Sequence, residues 1–230
     1  MKKSLLAALL FVVAAPSAFA QFAPPIDTVF TENFDGTLSA DSIAANFNTD
    51  STNATRSWND TTFLKTTGTR SFHTQCFAND SIIMETDDFT TIGYTNVRFT
   101  FDQICKIRYI QKGTIQMSRD NGSTWVNLTG AEYQGESPQF SSQGWFNELS
   151  YPSALLSPYW QGPTIGNSNT GVTPANTWWA RETFDLSTYL GAYDATNTQN
   201  GFAQCKIRFI MNNKTGTPSP SGLAGWFVDN

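Results

Sequence analysis

The chain has 230 residues, a net charge of −5 and a charged fraction of only 14%, against about 25% in an average soluble domain. An acidic chain with scattered Lys and Arg has no electrostatic reason to seek nucleic acid or an anionic membrane surface. His73 is the single histidine and the cysteines are Cys76, Cys105 and Cys205; this removes His-based catalytic triads, the H-E-x-x-H pattern and closely spaced zinc ligands.

The first segment reads MKKSLLAALLFVVAAPSAFAQ. Lys2 and Lys3 precede an apolar run over 5–15, and Ala18-Phe19-Ala20 forms a small-residue cleavage site before Gln21. That layout predicts a secretory signal peptide over 1–20, whose apolar run is too short to span a bilayer. No cysteine follows the cleavage site, which argues against a lipoprotein anchor, and no later segment is long and apolar enough for a membrane span. The mature chain, 21–230, is expected outside the cytoplasm as a single domain.

Strands are predicted at 29–34, running into an Asp35-Gly36 turn, and then at 81–84, 97–110, 114–118, 124–128, 203–211 and 226–228. Helical candidates are short: 39–47, and a turn at 186–190 after Asp185. The fold class is therefore all-β. Within the strand set, CKIRYI at 105–110 recurs as CKIRFI at 205–210. In both, Cys, Ile and the aromatic residue share one parity and are expected to face the core; Lys and Arg share the other and are expected to face solvent or an acidic neighbour. Three cysteines allow one bridge plus a free thiol, or no bridge. A Cys105–Cys205 bridge requires neighbouring strands, and buried free thiols are the preferred reading.

The stretch 130–177 is rich in Gly, Pro, Ser and Asn, yet carries Tyr133, Phe140, Trp145, Phe146, Tyr151, Tyr159 and Trp160. Disordered linkers are poor in aromatics, so this is read as a long, ordered loop insertion packed on the sheets. Just before it lies SRDNGSTW, 118–125, which fits the Asp-box pattern S-x-D-x-G-x-T-W of sialidase propellers. A propeller needs repeats of about 40–50 residues, and this chain has one box. Ser118, Asp120, Gly122 and Trp125 are accordingly assigned to a structural turn: a carboxylate for the turn amides, a glycine for positive φ and a ring covering the hairpin. Glu132, Glu136, Glu148 and Glu182 could supply a hydrolase pair. No spacing singles out two of them, and Glu182 is expected to face Arg181 or Arg208 across a sheet. No catalytic residue is assigned.

The ordered set FTENFDG (30–36), VRFTFDQICKI (97–107), IQMSRDNGSTWVNL (115–128), WWARETFDLS (178–187), CKIRFIM (205–211) and GWFVDN (225–230) resembles the MAM-like, concanavalin-like jelly-roll domains of secreted Bacteroidetes proteins. Those domains typically close on a G-W-[YF]-[IV]-D-[DN]-[IV] strand. The resemblance covers nearly all of 21–230 and implies a two-sheet antiparallel jelly-roll sandwich. Because the closing motif stops at Asn230, it also implies an N-terminal fragment of a larger protein, whose further domains would include a type IX secretion sorting domain.

In such a sandwich 30–34 is expected to pair with 226–228, so that Glu32, Asp35 and Asp229 converge as a candidate structural Ca²⁺ site. The function expected is a secreted or cell-surface, non-catalytic module for adhesion or carbohydrate binding, with a glycan or a cell-surface protein as partner. Trp145, Tyr151, Tyr159, Trp160 and Trp178 are the candidate sugar-stacking rings. A structural or accessory domain of a larger surface protein or peptidase is the alternative, and a glycoside hydrolase the third reading.

Overall fold

The computed structural model describes residues 28, 47–51, 58–75, 80–107, 110–151, 174–196, 198–213 and 225–230. The expected signal peptide, the 30–34 strand, most of the 39–47 helix, Glu32, Asp35, Cys76, Tyr159 and Trp160 lie outside them. Twelve strands are described: β1 (Phe47–Ser51), β2 (Asn59–Thr61), β3 (Ser71–Thr74), β4 (Asp80–Thr86), β5 (Arg98–Lys106), β6 (Lys112–Ser118), β7 (Val126–Asn127), β8 (Ala180–Asp185), β9 (Tyr193–Asp194), β10 (Gln199–Asn200), β11 (Lys206–Asn213) and β12 (Gly225–Asp229). They form two five-stranded sheets, ordered β1-β4-β11-β6-β7 and β2-β3-β12-β5-β8, and a β9–β10 hairpin. Every strand pairing is antiparallel. The molecule is an all-β, two-sheet sandwich. Among the described residues no helix is long and apolar enough to cross a membrane.

Strand alternation builds the interface between the sheets. Ile82 and Met84 of β4, Ile115 and Met117 of β6, and Ile207, Phe209 and Met211 of β11 enter one buried cluster with Phe72, Phe101, Cys105, Phe184, Trp226 and Val228 of the facing sheet. Phe209 meets Phe101 at 5.1 Å and Trp226 at 5.7 Å between ring centroids, both edge-on, the geometry favoured by ring quadrupoles. Room for Trp226 comes from Gly113, where an added Cβ would lie 2.9 Å from the indole ring.

The aromatic insertion completes this core. Tyr133, Phe140 and Phe146 are buried in the same cluster, with Phe140 and Phe146 at 4.4 Å. Phe140 sits in a short helix, Pro138–Gln143, which Ser137 caps by accepting from the Phe140 amide and which ends at Gly144 in the left-handed region. Ser-Pro at the start and Gly at the end are ordinary helix punctuation.

Several expectations need correction. Phe47 begins a strand, paired to Thr86, and does not end a helix. The 124–128 strand shrinks to Val126–Asn127 because Thr124 is tied to Asp120 in the turn. The 97–110 strand ends at Lys106, and 178–186 supplies the additional strand β8. Both edges of β12 are taken over 226–228, by β3 on one side and β5 on the other; the 30–34 segment expected to pair there lies outside the described residues. Cys105 lies on β5, and Cys205 lies just ahead of β11 in the facing sheet. Both are buried free thiols.

Candidate functional site

β8 lies at the border of its sheet, antiparallel to β5 from Arg98–Asp185 to Gln103–Ala180. Its outer edge is closed by the insertion: Gln134 donates to the Thr183 carbonyl and the Asp185 amide to the Glu132 carbonyl, each at 2.8 Å. Past Gln134 the insertion turns away into its helix. At the other side a 3-10 turn, Asn176–Trp178, delivers two adjacent indoles to the start of β8. Between these departures opens a cleft of about 440 Å³, walled by Tyr151, Trp178 and Trp179 and rimmed by Gln134, Glu136 and Arg181, with Glu182 at its floor.

Glu182 joins the cleft to the core through a chain of hydrogen bonds. Tyr133 Oη donates to one of its oxygens, and Gln103 Nε2 donates to the other at 2.7 Å. Gln103 Oε1 in turn accepts from Trp226 Nε1 at 2.7 Å, and Tyr133 Oη accepts from the Ser137 amide at 2.7 Å. Burial pushes the Glu182 carboxyl up to about 7 despite the two donors. Burial and the nearby Glu182 charge also raise the Tyr133 phenol. The expected partnership of Glu182 with Arg181 or Arg208 is replaced by this network, because Glu182 shares the inward parity of β8. Arg181 points outward, making a two-pronged contact with Asp102 at 2.8 and 2.7 Å. Arg208 lies 3.9 Å above the Trp125 ring and donates to Gln116 at 2.6 Å.

The other acids are dispersed. Glu132 accepts the Thr129 amide and hydroxyl in a turn, Glu136 is exposed on the cleft rim, and Glu148 is buried in the 3-10 turn Glu148–Ser150.

Three candidate sugar rings are placed. Tyr151 is buried and accepts the Cys105 amide at 3.2 Å. Trp178 is also buried, with Lys106 Nζ 5.3 Å from its ring centroid. Both line the cleft. Trp145 does not; it is half-buried, with Lys112 Nζ 3.7 Å from its ring centroid. Trp179, half-buried in the cleft wall, escaped the sequence reading, as did Arg181 as a rim group. The Trp-Trp pair was the available signal, since two adjacent indoles ahead of a strand are too large for both to be buried.

In the turn, Asp120 Oδ1 accepts from Ser118 Oγ at 2.7 Å and from the Thr124 amide at 2.8 Å, while Oδ2 accepts from Thr124 Oγ1 at 2.6 Å. The Thr124 hydroxyl and amide, followed by the Ser118 hydroxyl, pull the Asp120 carboxyl down to about 2. Ser118 Oγ also accepts the Gly122 amide at 2.8 Å, and Asn121 and Gly122 both have positive φ.

Of the calcium candidates only Asp229 is placed. One of its oxygens accepts from the Thr66 amide and hydroxyl at 2.7 and 2.8 Å, and the other accepts from the Asn230 amide. Burial raises its pKa. A carboxyl whose two oxygens already accept three protein donors has fewer lone pairs left for a hard cation. Among the described residues no group of three or more His, Cys, Asp or Glu side chains could hold a metal ion. No protein-family model matches the chain, and no curated protein aligns with it significantly.

Proposed function

We propose that this chain is a secreted, non-catalytic carbohydrate-binding module of a larger cell-surface protein, and that the cleft at the start of β8 receives the glycan. The observation that carries the reading is the mixed lining of that cleft. The half-buried Trp179 ring, backed by the buried Tyr151 and Trp178, adjoins polar groups at Gln134, Glu136 and Arg181 in a space of about 440 Å³. Sugars present an apolar C–H face and a rim of hydroxyls, so a flat aromatic wall beside fixed donors and acceptors is complementary to them. Arg181 is held in place by Asp102, which reduces the ordering cost on binding. Glu182 binds no ligand in this reading, because both its oxygens are engaged by the protein.

The signal-peptide layout and the resemblance to MAM-like jelly-roll domains of Bacteroidetes surface proteins support export and a place beside further domains. The test is a glycan array followed by titration of the best ligand. Trp179→Ala should weaken binding at least tenfold per folded molecule, assayed well below a melting temperature that the lost packing against the outer core lowers. A folded protein that binds no glycan across a broad array would instead favour a structural or accessory role.

A further inference from the structure

A second concavity shares no lining residue with the cleft. It lies between the 118–125 turn and the β9–β10 hairpin, encloses about 510 Å³ and is lined by Arg119, Asp120, Tyr193, Asp194, Phe202 and Gln204, among others. Both walls are fixed by short-range bonding. The Asn121 amide donates to the Gln204 carbonyl at 2.9 Å, where Asp120 bridges Gln204 in parallel. Across the groove, Asp194 Oδ1 accepts from the Thr196 amide and hydroxyl at 2.9 and 2.7 Å, which closes the hairpin turn.

Two side chains in this groove are not explained by folding. Tyr193 is 62% exposed, the most open large hydrophobic side chain among the described residues. Arg119 lies with Cζ 5.0 Å from the centroid of Phe202 and has no hydrogen bond or ion pair to another described residue. Stacking on Phe202 holds the guanidinium plane while its N–H edges remain open to the groove. A ligand here meets an aromatic face, a pre-positioned five-donor fork, a carboxamide and carboxylates.

The balance of charge selects among ligands. Arg119 contributes one positive charge against Asp120 and Asp194, and the turn keeps Asp120 ionised down to about pH 2. An anionic ligand would meet net repulsion, and an aliphatic one would find a mostly polar lining. A neutral, polyhydroxylated ring satisfies both constraints: its C–H face stacks on Tyr193, and its hydroxyls accept from Arg119 and donate to the Gln204 carboxamide oxygen.

We infer that the groove between the 118–125 turn and the β9–β10 hairpin is a second binding site, specific for neutral glycan segments. Tyr193 is its stacking platform and Arg119 its donor. The site stands independently of the β8 cleft.

Affinity electrophoresis of the mature chain in gels containing xylan, glucomannan, laminarin or dextran tests it, with alginate and polygalacturonate as anionic arms. Tyr193→Ala and Arg119→Gln change exposed side chains, and their melting temperatures should match the wild type. Retardation by a neutral polysaccharide should weaken at least tenfold in each, while Trp179→Ala retains it. If both sites take the same polysaccharide, each single variant lowers retardation, and Tyr193→Ala in the Trp179→Ala background abolishes the remainder. Retardation lost in Trp179→Ala alone would overturn this site and leave the cleft standing. Retardation only by the anionic polymers would overturn it as well, and no retardation in any gel would overturn both sites.

Discussion

CKIRYI, whose first two residues end β5, and CKIRFI, which leads into β11, are near-identical hexapeptides whose lysines, on opposite sheets, lie in different environments. In both, the Cys-Ile parity enters the common core: Cys105 and Ile107 from one sheet, Cys205, Ile207 and Phe209 from the other. The difference lies on the outward parity. Lys206 reaches Glu85 at 3.0 Å, and Arg208 belongs to a row of polar partners on an open face, where Gln116 in turn donates to Asn127 at 2.6 Å. Lys106 is buried instead. Around it Ile104 and Phe227 pack with Leu64 and Trp178 in a second, smaller core on the outside of the sheet, with Trp179 against it. Burial lowers the Lys106 ammonium to about 8. The same Cys-Lys-Ile run thus serves a two-layer sheet in one place and a three-layer region in the other, and the candidate glycan cleft opens where the third layer begins.

The sharpest way to break this contrast is to remove the cover. Trp178→Ala should cost about 3–5 kcal/mol in urea denaturation, as for other buried tryptophans. Trp125→Ala on the open face should cost about 1 kcal/mol or less. Equal losses would mean that the outer layer adds no real core.

Glu182 gives the next largest effect. Its folded pKa, about 7, exceeds the ordinary carboxyl value of 4.5, so the folded state holds the proton more tightly than the unfolded chain. Its contribution is intact at acid pH and is lost as pH rises from about 4.5 through 7. The loss is on the order of 2–3 kcal/mol. Thermal melts from pH 5.5 to 8 should fall with pH in the wild type and flatten in Glu182→Gln, which keeps the shape of the protonated acid. Parallel profiles would disprove a buried proton at this site.

Smaller still is the exchange of the two lysines. Lys106→Ala removes a buried stem and its cation–π contact beneath Trp178 and should lower the melting temperature by about 2–4 °C, the shift for roughly 1 kcal/mol in a chain of this size. Lys206→Ala removes the Glu85 pair at the open face and should lower it by less. Equal losses would show that the two outward environments do not differ in kind. The smallest effect expected is that of calcium. The donors on Asp229 predict equal melting temperatures in calcium and in EGTA, and a calcium-dependent rise would restore Asp229 as a ligand.

About half of the candidate site could be read in advance. Tyr151 and Trp178 stand out as aromatics in a Gly- and Ser-rich setting, and both reach the cleft. Trp179, Arg181 and the role of Glu182 did not stand out, because their partners are distant in sequence. Asp102 orients Arg181, while Gln103 and Tyr133 bind Glu182, and pattern within a window contains none of these pairings. Strand boundaries failed for a related reason. Thr124 suits a strand by propensity, but its bonds to Asp120 keep it in the turn.

By itself, the sequence determined that the Cys-Ile parity of the two CKIR runs faces the common core, and that SRDNGSTW makes a self-bonded turn. Those properties depend on side-chain alternation and on donors a few residues apart. Only the tertiary structure decided which outward face is covered, which acid is buried and where the clefts open. Lys106 and Lys206 sit in the same local sequence, and only Lys106 lies beneath an indole brought from far along the chain.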